Sequence, residues 1–507
     1  MKSDRDDPAA PSESPGEAAA LTGVPAQDGH SPSDPAHRPA DDAARTTEKV
    51  HSTDAARTTG KVHPVDEILP PGRMLLASFQ HVASMYAGAV SVPLVVAVAT
   101  KMSPGDTAVL MGGSLLMAGI ATLLQTLGIG NFIGSRLPFV NGVSFAGVGV
   151  MLTIIATQGG IEAGMPVVFG AIIVSSLFGF LVSSYFSRLV RFFPPVVTGS
   201  VITLIGVSLV PVAYRWIVDE SPSGTAEPRS IGLAGATILI MLLLQRFTRG
   251  FLKQVSMLIA MVCGTLLAVP MGLADFSALR GADLFGVPNP LHFGAPQFSL
   301  PAIVSMCVVM LVILTESTAD MIALGKIVGR EADEKTIARG LRADSLGSAL
   351  SPLFNAFHAS AFAQNIGLVV ISKVRSRFVV ALSGAILVLI GLSPAAAALV
   401  SVVPMPVLAA VSLFLFGSIA VSGIQTLLQA DLHRGDNALI VVVTLGAGLA
   451  PSLSDGFYAA FPDWAQIILG SGISTGCILA VALNLVFNHF GRKGARVGEQ
   501  EEPVLSH

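Results

Sequence analysis

Apolar runs of about twenty residues recur along most of this chain, from Met74 to about Phe490. Each is close to the ~20 residues with which a helix crosses a ~30 Å hydrocarbon core. Of the 507 residues, 52% are hydrophobic and only 12% are charged, against roughly 25% charged in an ordinary soluble domain. A folded chain of this composition has too few polar residues to cover a surface exposed to water. The sequence therefore predicts an all-α polytopic membrane protein.

About fourteen spans are predicted from the Gly/Pro clusters and charged residues that divide the apolar part. Their approximate centres are residues 86, 117, 147, 175, 204, 239, 261, 312, 346, 367, 386, 411, 443 and 477. Of the Lys and Arg residues, 18 lie after even-numbered spans or at the C-terminus, and only four lie after odd-numbered spans. Because cytoplasmic loops carry the excess of Lys and Arg, both termini are predicted to be cytoplasmic.

Residues 1–70 differ in composition from the rest of the chain. They are rich in Pro, Ala, Asp, Ser and Thr, and they hold the near-duplicate segments DDAARTTEKVH and HSTDAARTTGKVH. Such a segment has too few apolar residues to form a packed core, so it is predicted to be a disordered tail. It has no apolar run of the signal-peptide type before Met74, and no cleavable signal is predicted.

Charge and cysteine usage argue against several classes of protein. The net charge is −3 and the sequence has no basic stripe with interleaved aromatic residues, so nucleic-acid binding is not expected. Cys263, Cys307 and Cys477 lie singly within apolar runs, without the paired spacing of a zinc site or a disulfide framework. They are interpreted as small core residues, and no metal site is predicted.

Weak self-similarity relates the two halves of the apolar part. Pro195 and Gly206 in the fifth predicted span have the same spacing as Pro406 and Gly417 in the twelfth. Chance similarity between helices rich in Gly, Ala and Val is the alternative, but the matching order of several such elements favours a seven-plus-seven repeat. An odd number of spans per repeat inverts the second half, which predicts a binding site near the membrane midplane.

The third and tenth predicted spans are the least helix-like. Both contain a small-Phe-Ala element, at 144–146 and at 361–363. Turn-forming and polar residues precede each element: Pro138, Asn141 and Gly142 in the third span, and Pro352, Asn355 and His358 in the tenth. Interrupted helices of this kind present free N–H groups and a positive dipole end to a polar ligand.

Ionisable and amide side chains within the predicted spans are costly in a membrane and are therefore candidates for function. Glu316 and Asp320 lie one helical turn apart in the eighth span, so both carboxylates share a face. Asp344 lies just inside the ninth span. The amide pair Gln364 and Asn365 interrupts an apolar run in the tenth.

Two histidines belong to the same group of candidates, His81 in the first span and His358 before the tenth. Each candidate also has a structural interpretation. Asp320 and Asp344 could be partners of loop arginines, and the two histidines could be satisfied core residues. Function is the preferred interpretation for Glu316 together with Gln364.

At these residues the sequence resembles the nucleobase-ascorbate transporter family, also called the nucleobase:cation symporter-2 family, over essentially 74–490. The resemblance is carried by FQHVASMYAGAVSVPL at 79–94, LTESTADMIALGKIVGRE at 314–331 and FAQNIGLVVISKVRSRFVV at 362–380. The tenth-span signature of the family, Gln/Glu/Pro-Asn-x-Gly, here reads Gln364-Asn365-Ile366-Gly367. Its Gln form is similar to the xanthine/uric acid permease branch.

The resemblance implies about fourteen transmembrane segments in which short antiparallel strands break segments 3 and 10. It also implies a core domain and a gate domain, each built from both repeats, between cytoplasmic tails. The predicted bounds are 1–70 and 491–507 for the tails, 71–192 and 299–394 for the core (segments 1–4 and 8–11), and 193–298 and 395–490 for the gate (segments 5–7 and 12–14).

Roles for individual residues also follow from the resemblance. Glu316 and Gln364 would hold a nucleobase, Phe145 would stack on or flank its ring, and Ala363 would offer its backbone N–H. Ser144 falls where family members vary with substrate, and its small side chain mildly favours urate. Coupling and hydrogen-bond network roles are expected for four further residues: Asp344, His81, Asn365 and Asp320.

The leading hypothesis is secondary active import of a purine nucleobase, xanthine and/or urate, by alternating access in the cell membrane. A proton is the expected coupling ion, with Na⁺ as an alternative, and a homodimer is expected. Ile366, where many relatives carry a second Asn, leaves the choice among purines open.

Two other hypotheses fit the sequence less well. A carrier of a uracil-type base or an inorganic anion would keep the fold, although the Glu316 carboxylate would repel an anion unless protonated. A membrane-embedded enzyme is disfavoured because no HExxH or paired metal-ligand motif occurs, and ATP-driven transport is disfavoured because no Walker A motif occurs. Neither a catalytic residue nor a cofactor is predicted.

Overall fold

The computed structural model describes residues 62–218, 225–274, 276, 283–454 and 456–490. The predicted C-terminal tail and residues 1–61 of the predicted N-terminal tail lie outside this part of the chain. The described residues are mostly helical and include one two-stranded sheet.

The first half of the described chain contains nine helices and one strand. These are α1 (Pro71–Ala99), α2 (Pro104–Leu127), β1 (Asn141–Val143), α3 (Val148–Thr157), α4 (Ile161–Val182), α5 (Phe186–Leu189), α6 (Pro195–Val218), α7 (Pro228–Phe247), α8 (Phe251–Gln254) and α9 (Ser256–Ala268). Single 3₁₀ turns occur at Pro64–Asp66, Phe145–Gly147 and Val190–Phe192.

The second half of the described chain again places one strand among helices. These are α10 (Leu300–Val328), α11 (Glu334–Leu350), β2 (Ala359–Ala361), α12 (Ala363–Ser372), α13 (Arg377–Gly391), α14 (Pro394–Ser401), α15 (Met405–Leu427), α16 (Gly435–Leu453), α17 (Asp463–Leu469) and α18 (Gly472–Asn484). A 3₁₀ turn at Ser351–Phe354 precedes β2, and a π-helical segment at Leu485–Phe490 extends α18.

Nine of the described helices are long and apolar enough to cross a membrane: α1, α2, α4, α6, α7, α10, α15, α16 and α18 with its extension. The pair α13 and α14, bent by 88°, adds a tenth. Shorter apolar helices at 145–157, 256–268 and 363–372, together with α11, occupy the four remaining predicted spans. All fourteen predicted centres therefore lie in a helix, and the chain is a multi-pass membrane protein with the predicted inverted-repeat fold.

Local sequence accounts for several helix ends. Ser103 precedes α2, and its hydroxyl accepts a hydrogen bond from the Asp106 backbone N–H at 3.1 Å. Asp333 precedes α11 and accepts from the Thr336 N–H at 2.9 Å. Both are N-caps that satisfy donors left free at the start of a helix. Gly329 ends α10 with a φ of 75°, the left-handed conformation that glycine adopts without steric cost.

The two predicted interruptions take the form of strands. β1 pairs antiparallel with β2, so that Asn141 lies opposite Ala361 and Val143 lies opposite Ala359. Asn355 turns the chain towards β2 with a φ of 59°, a conformation that Asn tolerates better than most residues. Each repeat therefore contributes one short strand followed by one short helix, and the expectation of strands breaking segments 3 and 10 is confirmed.

Helices α6 and α15, the fifth and twelfth segments, pack closely through small residues. A Cβ on Gly206 would lie 2.4 Å from the Ala420 nitrogen, and one on Gly423 would lie 2.3 Å from the Thr203 nitrogen. Such small residues let helix backbones approach in a membrane. Gly417, which the sequence pairs with Gly206, instead faces open space. The reciprocal close contact is made by Gly423.

Residues 62–70, assigned by sequence to the tail, make specific contacts with the membrane-embedded part. Val65 is fully buried. The Asp66 carboxylate accepts hydrogen bonds from Arg330 and, at 2.6 Å, from Arg377. Partial burial of Asp66 acts to raise its pKa, but the hydrogen bonds and charges of both arginines hold the pKa below its usual value. Ser376 donates to the Glu67 carbonyl at 2.5 Å. This anchoring of residues 62–70 differs from the predicted disorder.

Candidate functional site

A cavity of about 180 Å³ lies beside the paired strands. Residues from β1 to the start of α3, from α10, and from β2 to α12 form one side of its wall, and residues of α6 and α15 form the other. The lining residues are Val143, Ser144, Phe145, Ala146, Ile202, Ile205, Glu316, Ser360, Ala361, Phe362, Ala363, Gln364, Ser418, Ile419 and Ser422. All five predicted substrate-binding residues are among them.

The strand pair positions the first group of lining residues. The Ser144 N–H donates to the His358 carbonyl at 2.8 Å, and the Phe362 N–H donates to the Val140 carbonyl at 3.0 Å. These bonds extend the pairing beyond β1 and β2 and fix the start of both short helices. The ring of Phe362 lies on Gly142, where a Cβ would be 2.1 Å from a ring carbon. Glycine is therefore required at this close approach.

Two features of the cavity wall suit a flat polar ligand. Phe145 is half-buried and packs edge-on against Phe416 of α15, with ring centroids 5.9 Å apart. Ala363 is the first residue of α12, where backbone N–H groups have no partner within the helix. Gln364 follows in the same turn. The wall thus combines an aromatic ring, a helix N-terminus and an amide side chain.

Glu316 projects from α10 into the cavity. Among the lining residues, all within the described part of the chain, Glu316 carries the one ionisable side chain. The Ser360 hydroxyl of β2 donates to its Oε2 at 3.3 Å. Sequence reasoning did not identify Ser360, because a serine in a run of small residues carries no signal of its own.

Gln364 and its neighbour Asn365 have different surroundings. Gln364 lines the cavity, whereas Asn365 is buried against α1. The Asn365 amide nitrogen donates to the His81 carbonyl at 3.2 Å and lies 3.2 Å from His81 Nδ1. The pair therefore joins the cavity wall to the first segment, and His81 lies outside the cavity lining.

Asp344 belongs to a buried network behind β1. Its Oδ1 accepts hydrogen bonds from the side-chain amides of Asn141 and, at 2.6 Å, of Gln125. Gln125 also donates to the Gly340 carbonyl at 2.8 Å and accepts from the Ser135 N–H at 3.1 Å. Asp344, Asn141 and Gln125 are all fully buried. Gln125 was missed by sequence, although an amide inside the apolar α2 is the kind of signal that could have found it.

Asp320 lies one turn beyond Glu316 and outside the cavity lining. Within the described residues its Oδ2 has no hydrogen-bond partner. Neither Asp320 nor Asp344 forms an ion pair with an arginine in this part of the chain. The interpretation of these carboxylates as partners of loop arginines is therefore wrong there.

His358 is buried outside the cavity. Its Nε2 lies 2.9 Å from the Ser175 hydroxyl, and its carbonyl accepts from Ser144. These contacts place His358 in the core, but its Nδ1 has no hydrogen-bond partner among the described residues, so the histidine is only partly satisfied. Over the described residues, no three His, Cys, Asp or Glu side chains are grouped closely enough to hold a metal ion.

Comparison with known sequences gives a family match over most of the chain. The sequence model of a family described as "Permease family" (Xan_ur_permease) matches residues 72–455. Uric acid permease PucJ of Bacillus subtilis (strain 168) is 38% identical over 441 residues, which cover 86% of this chain and 97% of that protein. Xanthine permease of the same strain is 37% identical, covering 85% and 97%. Uric acid transporter UacT of Escherichia coli (strain K12) is also 37% identical, covering 83% and 88%.

Solved structures with a similar fold are more distant in sequence. The transmembrane domain of the cyanobacterial bicarbonate transporter BicA superposes with a TM-score of 0.56 at 16% identity, covering 82% of this chain and 99% of that one. Murine Slc26a9, an anion transporter in the inward-facing state, gives a TM-score of 0.55 at 12% identity, covering 90% and 77%. At these identities the likeness concerns the fold alone.

Proposed function

Because this chain belongs to the nucleobase:cation symporter-2 family of permeases, we propose that it imports a purine nucleobase, xanthine or urate, together with a proton. The observation that carries the proposal is the cavity beside β1 and β2. Glu316, Gln364 and Phe145 reach it from three different segments. The names of the relatives, uric acid and xanthine permeases, point to the same class of substrate.

The polar groups of the cavity match the edge of a purine. An ionised Glu316 accepts a ring N–H, and the Gln364 amide can accept from one N–H while donating to a neighbouring carbonyl. The free N–H at Ala363 suits a second carbonyl. Phe145 supplies an aromatic surface for the flat ring. A charge-assisted bond to Glu316 would contribute more than any of the neutral ones.

Alternating access is supported by where the cavity lies. One wall comes from segments 3, 8 and 10 of the predicted core domain, and the other from Ile202, Ile205, Ser418, Ile419 and Ser422 of the predicted gate domain. Rocking of the core against the gate would open the cavity to either side in turn. Glu316 is the lining side chain able to carry a proton between the two states.

Uptake of radiolabelled xanthine and urate into cells or proteoliposomes tests the proposal. We expect concentrative uptake that rises with an inward proton gradient and is competed by the other purine, but not by uracil or sulfate. Replacing Na⁺ by K⁺ should leave uptake unchanged. Uptake driven by Na⁺ alone would refute proton coupling, and competition by sulfate or bicarbonate but not by purines would refute the substrate class.

The proposed orientation places both termini in the cytoplasm, as the distribution of Lys and Arg indicates. In a variant with its three cysteines replaced by serine, we expect Glu334→Cys to be labelled only from inside and Glu162→Cys only from outside. Labelling of both from one side would refute the topology. The expected homodimer stays a prediction, which the mass of the purified protein would check.

A further inference from the structure

A second pocket, of about 540 Å³, lies at the C-terminal end of α4 and the start of α11. Its lining combines cationic, hydroxyl and amide side chains with two carboxylates. The residues are Asn131, Ser183, Ser184, Asp333, Glu334, Lys335, Ile337, Ala338, Arg339 and Arg342. None of them belongs to the cavity beside β1 and β2, so the pocket has no part in the proposed transport site.

Neither arginine of this pocket forms an ion pair with a carboxylate of the described residues, although the Asp333 carboxylate is close enough to Arg339 to be stabilised by its charge. Arg342 donates to the Phe132 carbonyl at 3.1 Å and to the Ser184 hydroxyl at 2.7 Å, and its guanidinium lies 4.0 Å from the centroid of the Phe132 ring. Arg339 donates to the Lys335 carbonyl and the Thr336 hydroxyl. Arg342 is close enough to Arg339 for the two positive charges to repel each other.

Within the described residues, Arg339 and Arg342 differ from Arg330 and Arg377 in having no ion pair. Arg330 and Arg377 share the Asp66 carboxylate, but no Asp or Glu in the described ranges lies within ion-pair distance of Arg339 or Arg342. The Asp333 carboxylate is engaged in capping α11. Two adjacent guanidinium groups with free donors form the usual binding arrangement for a phosphate group.

The rim of the pocket indicates where such a phosphate comes from. Leu181 and Tyr185, close in sequence to the lining residues Ser183 and Ser184, are 72% and 62% accessible, and Phe132, which packs on Arg342, is 53% accessible. Leu181 and Tyr185 lie at the end of α4, a helix long and apolar enough to cross the membrane, where hydrocarbon gives way to headgroups. The excess of Lys and Arg places this end of α4 on the cytoplasmic side.

We propose that the pocket between α4 and α11 binds the phosphate of an anionic phospholipid, with Arg339 and Arg342 as its ligands and the Ser184 hydroxyl as a hydrogen-bonding partner. The acyl chains would lie against Leu181 and Tyr185. Basic pockets between transmembrane helices on the cytoplasmic side are a general means of recognising anionic headgroups. The inference does not depend on which solute the protein transports.

Native mass spectrometry and thermal unfolding of the purified full-length protein test the proposal. Wild type, Arg339→Gln/Arg342→Gln and a control, Lys326→Gln/Arg375→Gln, are compared with added phosphatidylglycerol or phosphatidylcholine. The control removes two cations that lie outside the pocket on the same predicted side, Lys326 in the last turn of α10 and Arg375 in the loop between α12 and α13. We expect phosphatidylglycerol to be retained by wild type and control and to raise their melting temperatures. Retention should fall about tenfold in the pocket variant, since each surface cation contributes a few-fold to anionic-lipid binding.

Further measurements distinguish a phospholipid from other sources of the phosphate and test the site itself. Inorganic phosphate and glycerol 3-phosphate are added in place of lipid, and equal stabilisation by either would overturn the lipid as the source. Unchanged retention of phosphatidylglycerol in the pocket variant would overturn the site itself. If that variant does not fold, Arg342→Lys and Arg342→Gln are compared instead. Lysine keeps the charge, so it should retain more lipid than glutamine, and equal retention by the two contradicts the proposal.

Discussion

The side chain of Asn141, the first residue of β1, donates a hydrogen bond to the carboxylate of Asp344 on α11, 203 residues later in the chain. Asn141 is also paired through its backbone with Ala361 of β2. One residue thus connects the third, ninth and tenth segments. The predicted coupling residue Asp344 is therefore hydrogen-bonded to β1, and its own side chain does not line the cavity.

Gln125 is predicted to position this network. Gln125→Leu removes the donor to Asp344 and leaves the Gly340 carbonyl and the Ser135 N–H without their partner. An unsatisfied buried polar group costs about 1–3 kcal/mol, so the variant should unfold at a clearly lower temperature and lose uptake. Gln429→Leu, at an exposed position, is the matched control. Equal thermal stability of Gln125→Leu and the control would show that the network contributes little.

Glu316 is predicted to combine substrate binding with proton coupling. Glu316→Gln keeps the size but removes the charge, and loss of a charge-assisted hydrogen bond costs roughly 1–3 kcal/mol. Binding should weaken, and pH-driven accumulation should collapse. Glu316→Asp, which keeps the charge with a shorter reach, should retain more activity. Initial uptake of labelled xanthine and urate is measured with and without a pH gradient. Wild-type accumulation by Glu316→Gln would refute the assigned role.

The contact between α6 and α15 is predicted to tolerate no added side chain at Gly206. Gly206→Ala places a methyl group against the backbone of Phe416 and Ala420, and overpacking of this kind costs typically about 1–3 kcal/mol. Gly417→Ala, on the same pair of helices but facing open space, should be nearly neutral. Thermal unfolding in detergent compares the two. The packing described for α6 and α15 requires Gly206→Ala to be the less stable of the two.

Asp66 is predicted to give the N-terminal anchor a defined pH dependence. Its pKa is lower in the folded protein than the ordinary value of 3.8. Its contribution to stability is therefore complete above that value and is lost as the pH falls through the lower, folded pKa. The difference in melting temperature between wild type and Asp66→Asn should be constant near neutrality and shrink below about pH 3.8. A difference that grows on acidification would contradict the assignment.

Truncations test the same anchor. Deleting residues 2–61 removes no described contact, so uptake and stability should be preserved. Extending the deletion to residue 67 also removes Val65 and Asp66, and it should lower the melting temperature. Equal stability of the two truncated proteins would show that the contacts of residues 62–67 are dispensable.

Hydropathy, loop charge and helix-breaking residues were sufficient to predict the spans and both interrupted segments. Each span needs a run of about twenty apolar residues to match the thickness of the hydrocarbon. Interruptions depend on local residues such as Pro138 and Asn355, so both features can be predicted from the sequence. The orientation of each helix about its axis cannot be predicted in this way, because most of the helices are apolar on every face. For this reason Ser418 and Ser422 of α15 were missed, and Gly417 was paired with Gly206 where Gly423 makes the contact.

The dependence of β1 on β2 also has a consequence for synthesis. Three residues of β1 have their strand partner only in β2, and the Glu316 side chain that completes the wall comes from α10. During translation the first repeat enters the membrane well before these residues leave the ribosome. A nascent chain that stops before β2 therefore holds β1 without its ladder partner inside the bilayer, where unpaired backbone groups are costly. Such intermediates would be natural substrates for membrane chaperones and quality-control proteases.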